Sequence, residues 1–315
     1  MTRWTIRYSL LLLRSIFIAL VFLVPINSGA TQSVEKTNQP TDQLKIVRVN
    51  GVELHYLDRG KGTPVIFVHG GLDDYRYWQS QMEPFSEAYR VIAYSRRYNF
   101  PNQNPLRQSD HSVIVEAADL VELIRSLKLG RVHIVGASYG AYTALFLAFK
   151  HPEMVRSLVL AEAPVFRLAR ETPEGLALYE EFLAKLWHPA ATAFRRRDKQ
   201  HALRLSVEYF AGEGAFDKAP ESLRRGWRDN LLEWQALTTS RDAFPVLNVR
   251  DLKNIQTPTL MLSGERTLNI LKFVDGELRP LLGAQRVIIP HASHDMWTEQ
   301  PDVCRQATLE FLVKH

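Results

Sequence analysis

The segment GASYGA, residues 136–141, places a serine between two glycines in the order G-x-S-x-G. The apolar run at 132–136 predicts a strand, and residues 139–150 predict a helix that ends at His151-Pro152. A serine on so sharp a turn stands above the sheet edge, beside helix N–H groups that favour developing negative charge. Ser138 is therefore the candidate nucleophile. The alternative is a glycine-rich turn with an incidental serine.

Two histidines follow the last predicted strand, in the loop PHASHDMWTEQP at residues 290–301. His294 lies a few residues past the strand and shortly before the final helix, and we expect it to be the general base that takes the serine proton. His291 follows the strand almost directly and is expected to point elsewhere. An exchange of roles between the two histidines stays open.

A second buried segment, VIFVHGG at residues 65–71, ends in a histidine and two glycines where backbone amides can turn inward. The N–H groups of Gly71 and Tyr139 are the predicted oxyanion hole, and each such donor typically contributes about 10² to 10³ in rate. Gly70 and Gly71 can also simply form a tight turn, and the two interpretations are compatible. We expect His69 to be structural.

From residue 43 onward, short apolar runs alternate with helical segments, which is typical of a mostly parallel sheet covered by helices. A helix is predicted at 110–127, where apolar residues have helical spacing. Strands are predicted at 45–49, 52–57, 65–69, 90–93, 132–136, 157–161, 259–263 and 286–289.

The segment 166–250 breaks this alternation, because it is helical, aromatic and charged, and it is interpreted as an insertion. Five of its aromatic side chains could line an apolar site facing the sheet, although packing within the insertion explains most such residues. These five are Trp187, Tyr209, Phe210, Trp227 and Trp234.

Residues 1–30 have the order of a signal peptide: three arginines, an apolar run at 16–24 and the small residues SGA. Cleavage after Ala30 would leave an exported protein, periplasmic or secreted, with residues 31–42 as a polar linker. The alternative is an uncleaved membrane anchor, but the uninterrupted apolar run is far shorter than the ~20 residues that span a bilayer. Cys304 is the only cysteine, so no intramolecular disulfide can form.

The composition is that of a globular protein: 315 residues, 46% hydrophobic and 23% charged, enough for one large core. The 39 Lys and Arg against 34 Asp and Glu give a net charge of +5, an excess too small to support nucleic-acid binding. The basic run at 195–199 is explained by a solvated helix face.

Residues 43–315 resemble the α/β-hydrolase superfamily. The resemblance rests on HGG at 69–71, GASYGA at 136–141, HPEMVRSLVL at 151–160 and PHASHDMWTEQP at 290–301, in that order. It implies an α/β fold, a mostly parallel eight-stranded sheet flanked by helices, with a hydrolase core in two parts, 43–165 and 251–315. The insertion at 166–250 would be its helical cap, hereafter the cap segment. One departure is YSRRYNFPN at 94–102, where many members have an aspartate-arginine pair and a glycine-rich turn.

A second departure concerns the acid that must orient the histidine. Many family members carry an aspartate where this chain has Thr267, which cannot supply the charge that stabilises imidazolium. Glu265 lies two residues nearer the strand, where family glutamates usually support the true acid. Glu162 directly follows the sixth strand, as does the acid in some haloalkane dehalogenases of the superfamily. This resemblance favours Glu162, and Glu265 stays the alternative.

Together the resemblance and the residues predict a serine hydrolase of the esterase type (EC 3.1.1) that cleaves a small-molecule ester, thioester or lactone. No metal or organic cofactor is needed, and a membrane partner is expected only if the N-terminal segment is uncleaved. Serine at position 138 argues against dehalogenases and epoxide hydrolases, whose family members use a carboxylate nucleophile. A carbon-carbon bond hydrolase, an aminopeptidase, a perhydrolase and a hydrolase-fold binding protein with weak or no turnover remain alternatives.

Overall fold

Eight strands form one sheet in the computed structural model, which describes residues 43–106 and 111–315. The strands lie in the order β1-β2-β4-β3-β5-β6-β7-β8; β2 is antiparallel to both of its neighbours, and the remaining pairs are parallel. All eight predicted strands are confirmed, with small differences at their ends. Their bounds are β1 (Lys45–Val49), β2 (Val52–Arg59), β3 (Pro64–Val68), β4 (Arg90–Tyr94), β5 (Val132–Ala137), β6 (Val155–Ala161), β7 (Thr259–Gly264) and β8 (Gln285–Ile289).

Helices flank the sheet and occupy the connection between β6 and β7. Their bounds are α1 (Gln79–Ser86), α2 (Val113–Ser126), α3 (Tyr139–Lys150), α4 (Pro173–Phe182), α5 (His188–Arg195), α6 (Lys199–Ala211), α7 (Ala215–Lys218), α8 (Glu221–Asp229), α9 (Leu231–Thr238), α10 (Val249–Lys253), α11 (Asn269–Leu282), α12 (Met296–Glu299) and α13 (Pro301–Leu312). Short 3₁₀ turns span Tyr75–Trp78, Pro152–Met154 and Leu168–Glu171, and a π-helical turn spans Leu183–Trp187.

The predicted helix at 110–127 corresponds to α2, although its predicted first residue, Asp110, lies outside the described residues. The predicted signal peptide at 1–30 and linker at 31–42 also lie outside them, so export stays a prediction. Within the described ranges, no helix is both long enough and apolar enough to cross a bilayer.

The alternation of side chains along the central strands builds a core on each face of the sheet. In β3, Ile66 and Val68 belong to one apolar cluster, whereas Val65 and Phe67 belong to the other. Such alternation follows from the two-residue repeat of a strand, and burial on both faces is typical of parallel sheets. Buried side chains of α2, α3 and the cap segment join the first cluster, and those of α1 and α13 join the second.

The strand order also determines where the loops meet. Because β3, β5, β6, β7 and β8 are parallel, their carboxyl ends lie at one edge of the sheet. The loops that follow these five strands carry the residues singled out in the sequence. In open α/β sheets, ligands bind outside this edge.

A buried arginine links the sheet to the cap segment at the same edge. Arg96 follows β4 and is completely buried; its guanidinium lies 3.1 Å from Glu116 Oε1 of α2 and 2.7 Å from Glu233 Oε1 of α9. The same guanidinium donates hydrogen bonds to the carbonyls of His69 (3.2 Å) and Gly70 (2.9 Å). Arg96 therefore holds the turn after β3 in place while it pairs with a carboxylate of the cap segment.

The protonation states around Arg96 follow from burial and its charge. Burial alone would raise the pKa of Glu116, but the Arg96 guanidinium lowers it to about 2, so the carboxylate is ionised. Burial and the same positive charge lower the pKa of His69 to about 3, so its ring is neutral. The Arg96 N–H donates to His69 Nε2 at 3.0 Å, which leaves Nδ1 to donate to the Gly70 carbonyl at 2.9 Å. His69 thus sits within the turn, as expected for a structural residue.

The Arg96–Glu233 pair gives a stability prediction. Glu233→Gln removes one charge of a buried pair, and we expect the free energy of unfolding to fall by about 3 kcal/mol. Asp217→Asn is the matched control, because Asp217 pairs with Arg204 in a largely exposed position, and its urea midpoint should barely change. Urea unfolding followed by tryptophan fluorescence measures both variants. Equal small shifts would show that the buried pair does not connect the sheet and the cap segment energetically.

Candidate active site

Ser138 occupies a strained turn between β5 and α3. Its backbone has φ 51° and ψ −120°, and non-glycine residues in such regions cost on the order of 1–3 kcal/mol. The Ser138 N–H donates to the carbonyl of Ala161, the last residue of β6, at 2.7 Å. A Cβ on Gly140 would lie 2.3 Å from the Val68 carbonyl oxygen, so α3 approaches β3 too closely for any side chain there. The second glycine of G-x-S-x-G is thus explained by the close approach of α3 to β3.

Glu162 is the first residue after β6, and its side chain is completely buried. Oε1 accepts a hydrogen bond from the Gly264 N–H at 2.7 Å. Oε2 accepts one from Thr267 Oγ1 at 2.8 Å and lies 2.5 Å from His294 Nδ1. The carboxylate therefore has three partners, from the last residue of β7 and from the loops after β7 and β8, and it faces the imidazole directly.

His294 owes its protonation behaviour to this carboxylate. Burial alone would lower its pKa, but the hydrogen bond and charge of Glu162 raise it above the ordinary value of 6.5. Because Nδ1 is occupied by Glu162, Nε2 is left to face a reacting group. Phe210 of the cap segment stacks on the ring, with centroids 5.2 Å apart and an interplanar angle of 20°.

One cavity is lined by Ser138, His294 and the predicted oxyanion donors Gly71 and Tyr139. Tyr139 is the first residue of α3, so its N–H has no partner within the helix. A Cβ on Gly70 would lie 3.3 Å from Ser138 Cβ, so the turn after β3 abuts the serine. Within the described ranges Ser138 Oγ makes no hydrogen bond to His294; in free enzymes such bonds are often long and tighten with substrate.

The alternative acid and the alternative histidine lie together outside this cavity. Glu265 Oε2 accepts a hydrogen bond from the His291 N–H at 2.7 Å, and the two side chains are 52% and 81% exposed. Neither residue lines the cavity with Ser138. In the loop after β7, Thr267 rather than Glu265 contacts the Glu162 carboxylate.

The cavity has a volume of about 260 Å³ and a largely aromatic lining. Four of the five aromatic residues that the sequence offered as possible lining residues do line it, although packing within the insertion was the favoured interpretation for most of them: Trp187, Phe210, Trp227 and Trp234. Tyr209 does not line it. Tyr209 precedes Phe210 on α6, and its ring instead packs edge-on against Phe182, with centroids 6.0 Å apart. Sequence reasoning missed four further aromatic residues that line the cavity: Tyr77, Phe166, Phe182 and Phe244.

Two carboxyl groups that the sequence analysis did not identify also line the cavity, those of Asp73 and Asp295. Tyr77 donates a hydrogen bond to Asp295 Oδ1 at 3.1 Å. Burial, and after it the nearby charge of Asp295, raises the pKa of Asp73 well above its ordinary value. No arginine or lysine in the described part of the chain lines the cavity. The signals in the sequence were positional: Asp73 lies two residues after Gly71, a predicted oxyanion donor, and Asp295 directly follows His294.

No group of three or more histidine, cysteine, aspartate or glutamate side chains among the described residues is arranged to hold a metal ion.

Comparison with known proteins identifies the family. The chain is 32% identical to the 2-hydroxy-6-oxo-6-(2'-aminophenyl)hexa-2,4-dienoic acid hydrolase of Metapseudomonas resinovorans over 85% of this chain and 90% of that protein. It is also 32% identical to epoxide hydrolase 3 of Xenopus tropicalis, but over only 117 residues, so it spans about a third of that relative's length. The enol-lactonase structure from Burkholderia xenovorans LB400 shares the fold, with a TM-score of 0.70, 21% identity, and coverage of 85% of this chain and 100% of that one. Residues 65–307 match the model of the alpha/beta hydrolase family, to which this chain therefore belongs.

Proposed function

We propose that this chain is a serine hydrolase that cleaves an ester, thioester or lactone through an acyl-enzyme intermediate. One observation carries the proposal: Ser138 lines the same cavity as an imidazole whose far nitrogen contacts a buried carboxylate. Membership of a family of hydrolases supports the general activity. The choice of an acyl bond rests on the identity of the nucleophile and on the backbone amides beside it.

In the proposed mechanism, His294 Nε2 removes the proton from Ser138 Oγ as that oxygen attacks the substrate carbonyl. The N–H groups of Gly71 and Tyr139 donate to the resulting oxyanion. The protonated His294 then gives its proton to the leaving group, and water, activated by the same imidazole, releases the acyl product. Glu162 stays ionised throughout and stabilises the imidazolium.

The nucleophile argues against epoxide opening, although relatives of this chain include an epoxide hydrolase. Epoxide hydrolases of this superfamily use a carboxylate nucleophile. Ser138 instead provides a hydroxyl that, once deprotonated, is suited to attack a carbonyl carbon.

The lining of the cavity argues for a neutral substrate. A substrate carboxylate would be desolvated there, and no arginine or lysine among the described lining residues could pair with it. The aromatic lining favours an apolar acyl or alcohol group. Hydrolysis of a carbon-carbon bond in a dienoic acid is the second candidate, because the relative from Metapseudomonas resinovorans, named for such a substrate, matches most of this chain.

The nucleophile assignment can be tested with a fluorophosphonate probe and Ser138→Ala. We expect the probe to label the wild-type protein and the control Ser222→Ala, which changes an exposed serine on α8, but not Ser138→Ala. Turnover in Ser138→Ala should fall by up to about 10⁶, as in other serine enzymes. Substantial hydrolysis by a folded Ser138→Ala protein would overturn the assignment. A wild-type protein that is neither labelled nor active on any ester would support the binding-protein alternative.

Matched substrates distinguish the two candidate functions. Two aryl esters can be compared whose acyl chains have the same length, one ending in a methyl group and the other in a carboxylate. The main difference between them is the negative charge that the cavity must accept. We expect kcat/KM to be at least tenfold higher for the neutral ester, because each tenfold requires only about 1.4 kcal/mol of differential binding. Preference for the carboxylate ester, or turnover only of a dienoic acid, would favour the second candidate.

A further inference from the structure

Thr267 occupies the position where many family members carry the catalytic aspartate. Its side chain contacts Glu162, the residue proposed to serve as the acid in place of that aspartate. Its side chain is buried, and Oγ1 lies 2.8 Å from Glu162 Oε2. This oxygen is also the one that faces His294 Nδ1. We propose that Thr267 is a positioning residue that fixes the Glu162 carboxylate against His294. This inference rests on the proposed function, in which Glu162 serves as the acid.

The direction of the hydrogen bond follows from the chemistry of the two groups. An ionised carboxylate can only accept hydrogen bonds, so the Thr267 hydroxyl donates. With the Gly264 N–H on Oε1 and the Thr267 hydroxyl on Oε2, both oxygens of Glu162 are held. Two fixed oxygens define the plane of the carboxylate, and this removes rotational freedom that would otherwise have to be lost during each turnover.

The backbone around Thr267 holds its hydroxyl in place. The Thr267 N–H donates to the Gly264 carbonyl at 3.3 Å, which closes the turn at the end of β7. The Arg266 N–H donates to the Ala292 carbonyl at 2.8 Å, which joins this turn to the loop that carries His294. Thr267 therefore lies in a turn that is hydrogen-bonded both to the end of β7 and to the loop that carries His294.

The same geometry makes position 267 a second place from which a carboxylate could reach His294. In a chain that lacks the Glu162 carboxylate, Thr267→Asp would put an acid next to the vacated position. In the wild-type background the same change would bring two carboxylates together, and their repulsion should lower activity. We therefore expect Thr267→Asp to harm the wild-type enzyme and to improve Glu162→Ala.

The first test compares Thr267→Val, which loses the hydroxyl at similar volume, with Thr267→Ser, which keeps it. We expect kcat to fall about 10- to 100-fold in Thr267→Val, since a hydrogen bond to a charged group is lost, with KM changed by less than about twofold. Thr267→Ser should stay within about threefold of wild type. In the Glu162→Ala background, Thr267→Val should have no further effect, because the carboxylate on which Thr267 acts is absent. In the same background, Thr267→Asp should raise kcat at least tenfold, which corresponds to about 1.4 kcal/mol.

A second readout needs no turnover: the low-field ¹H NMR resonance of the His294 Nδ1 proton in the unliganded protein. It should be present in wild type and Thr267→Ser, weakened or shifted upfield in Thr267→Val, and absent in Glu162→Ala. This resonance tests the inference separately from the proposed function, because it would show the hydrogen bond between His294 Nδ1 and Glu162 even if the wild-type protein were inactive. The inference is overturned if Thr267→Val keeps wild-type kcat and an unchanged resonance, or if its loss of activity is the same with and without Glu162.

Discussion

The buried negative charge of Glu162 is the constraint on which the rest of the site depends. A carboxylate removed from water is stable only where charged or polar partners surround it. Here the partners are Gly264 at the end of β7, Thr267 in the loop after it, and His294 in the loop after β8. One side chain thus joins the ends of three neighbouring strands, and the position of the imidazole follows from the need to satisfy that charge.

Much of this arrangement could be predicted from the sequence, because the signals are local. Strand lengths, the G-x-S-x-G turn and the double glycine at 70–71 depend on nearby residues, and all eight strands are present as predicted. The strand order β5-β6-β7-β8 explains why the acid can follow either of two adjacent strands and still face His294. The catalytic roles of Ser138, Glu162 and His294 remain predictions that their placement supports.

The rest could not be predicted, because it depends on contacts between distant segments. The sequence left Glu162 and Glu265 as rival acids, since the direction of a loop side chain is not encoded in its spacing. The contact of Arg96 with Glu233 joins residues 137 positions apart, across the sheet and the cap segment. The sequence also did not predict that the Asp73 carboxyl lines the cavity, because an aspartate in a turn is ordinarily exposed.

The most direct test of this account is the pH dependence of kcat/KM in wild type, Glu162→Gln and the matched control Glu265→Gln. The account predicts that Glu162→Gln loses about 10⁴ in activity at neutral pH, as in other triads that lose the acid. Its acidic midpoint should also move to lower pH, because burial lowers the pKa of His294 once the Glu162 charge that raises it is gone. Glu265→Gln should match wild type. Near wild-type activity in Glu162→Gln together with severe loss in Glu265→Gln would contradict the account.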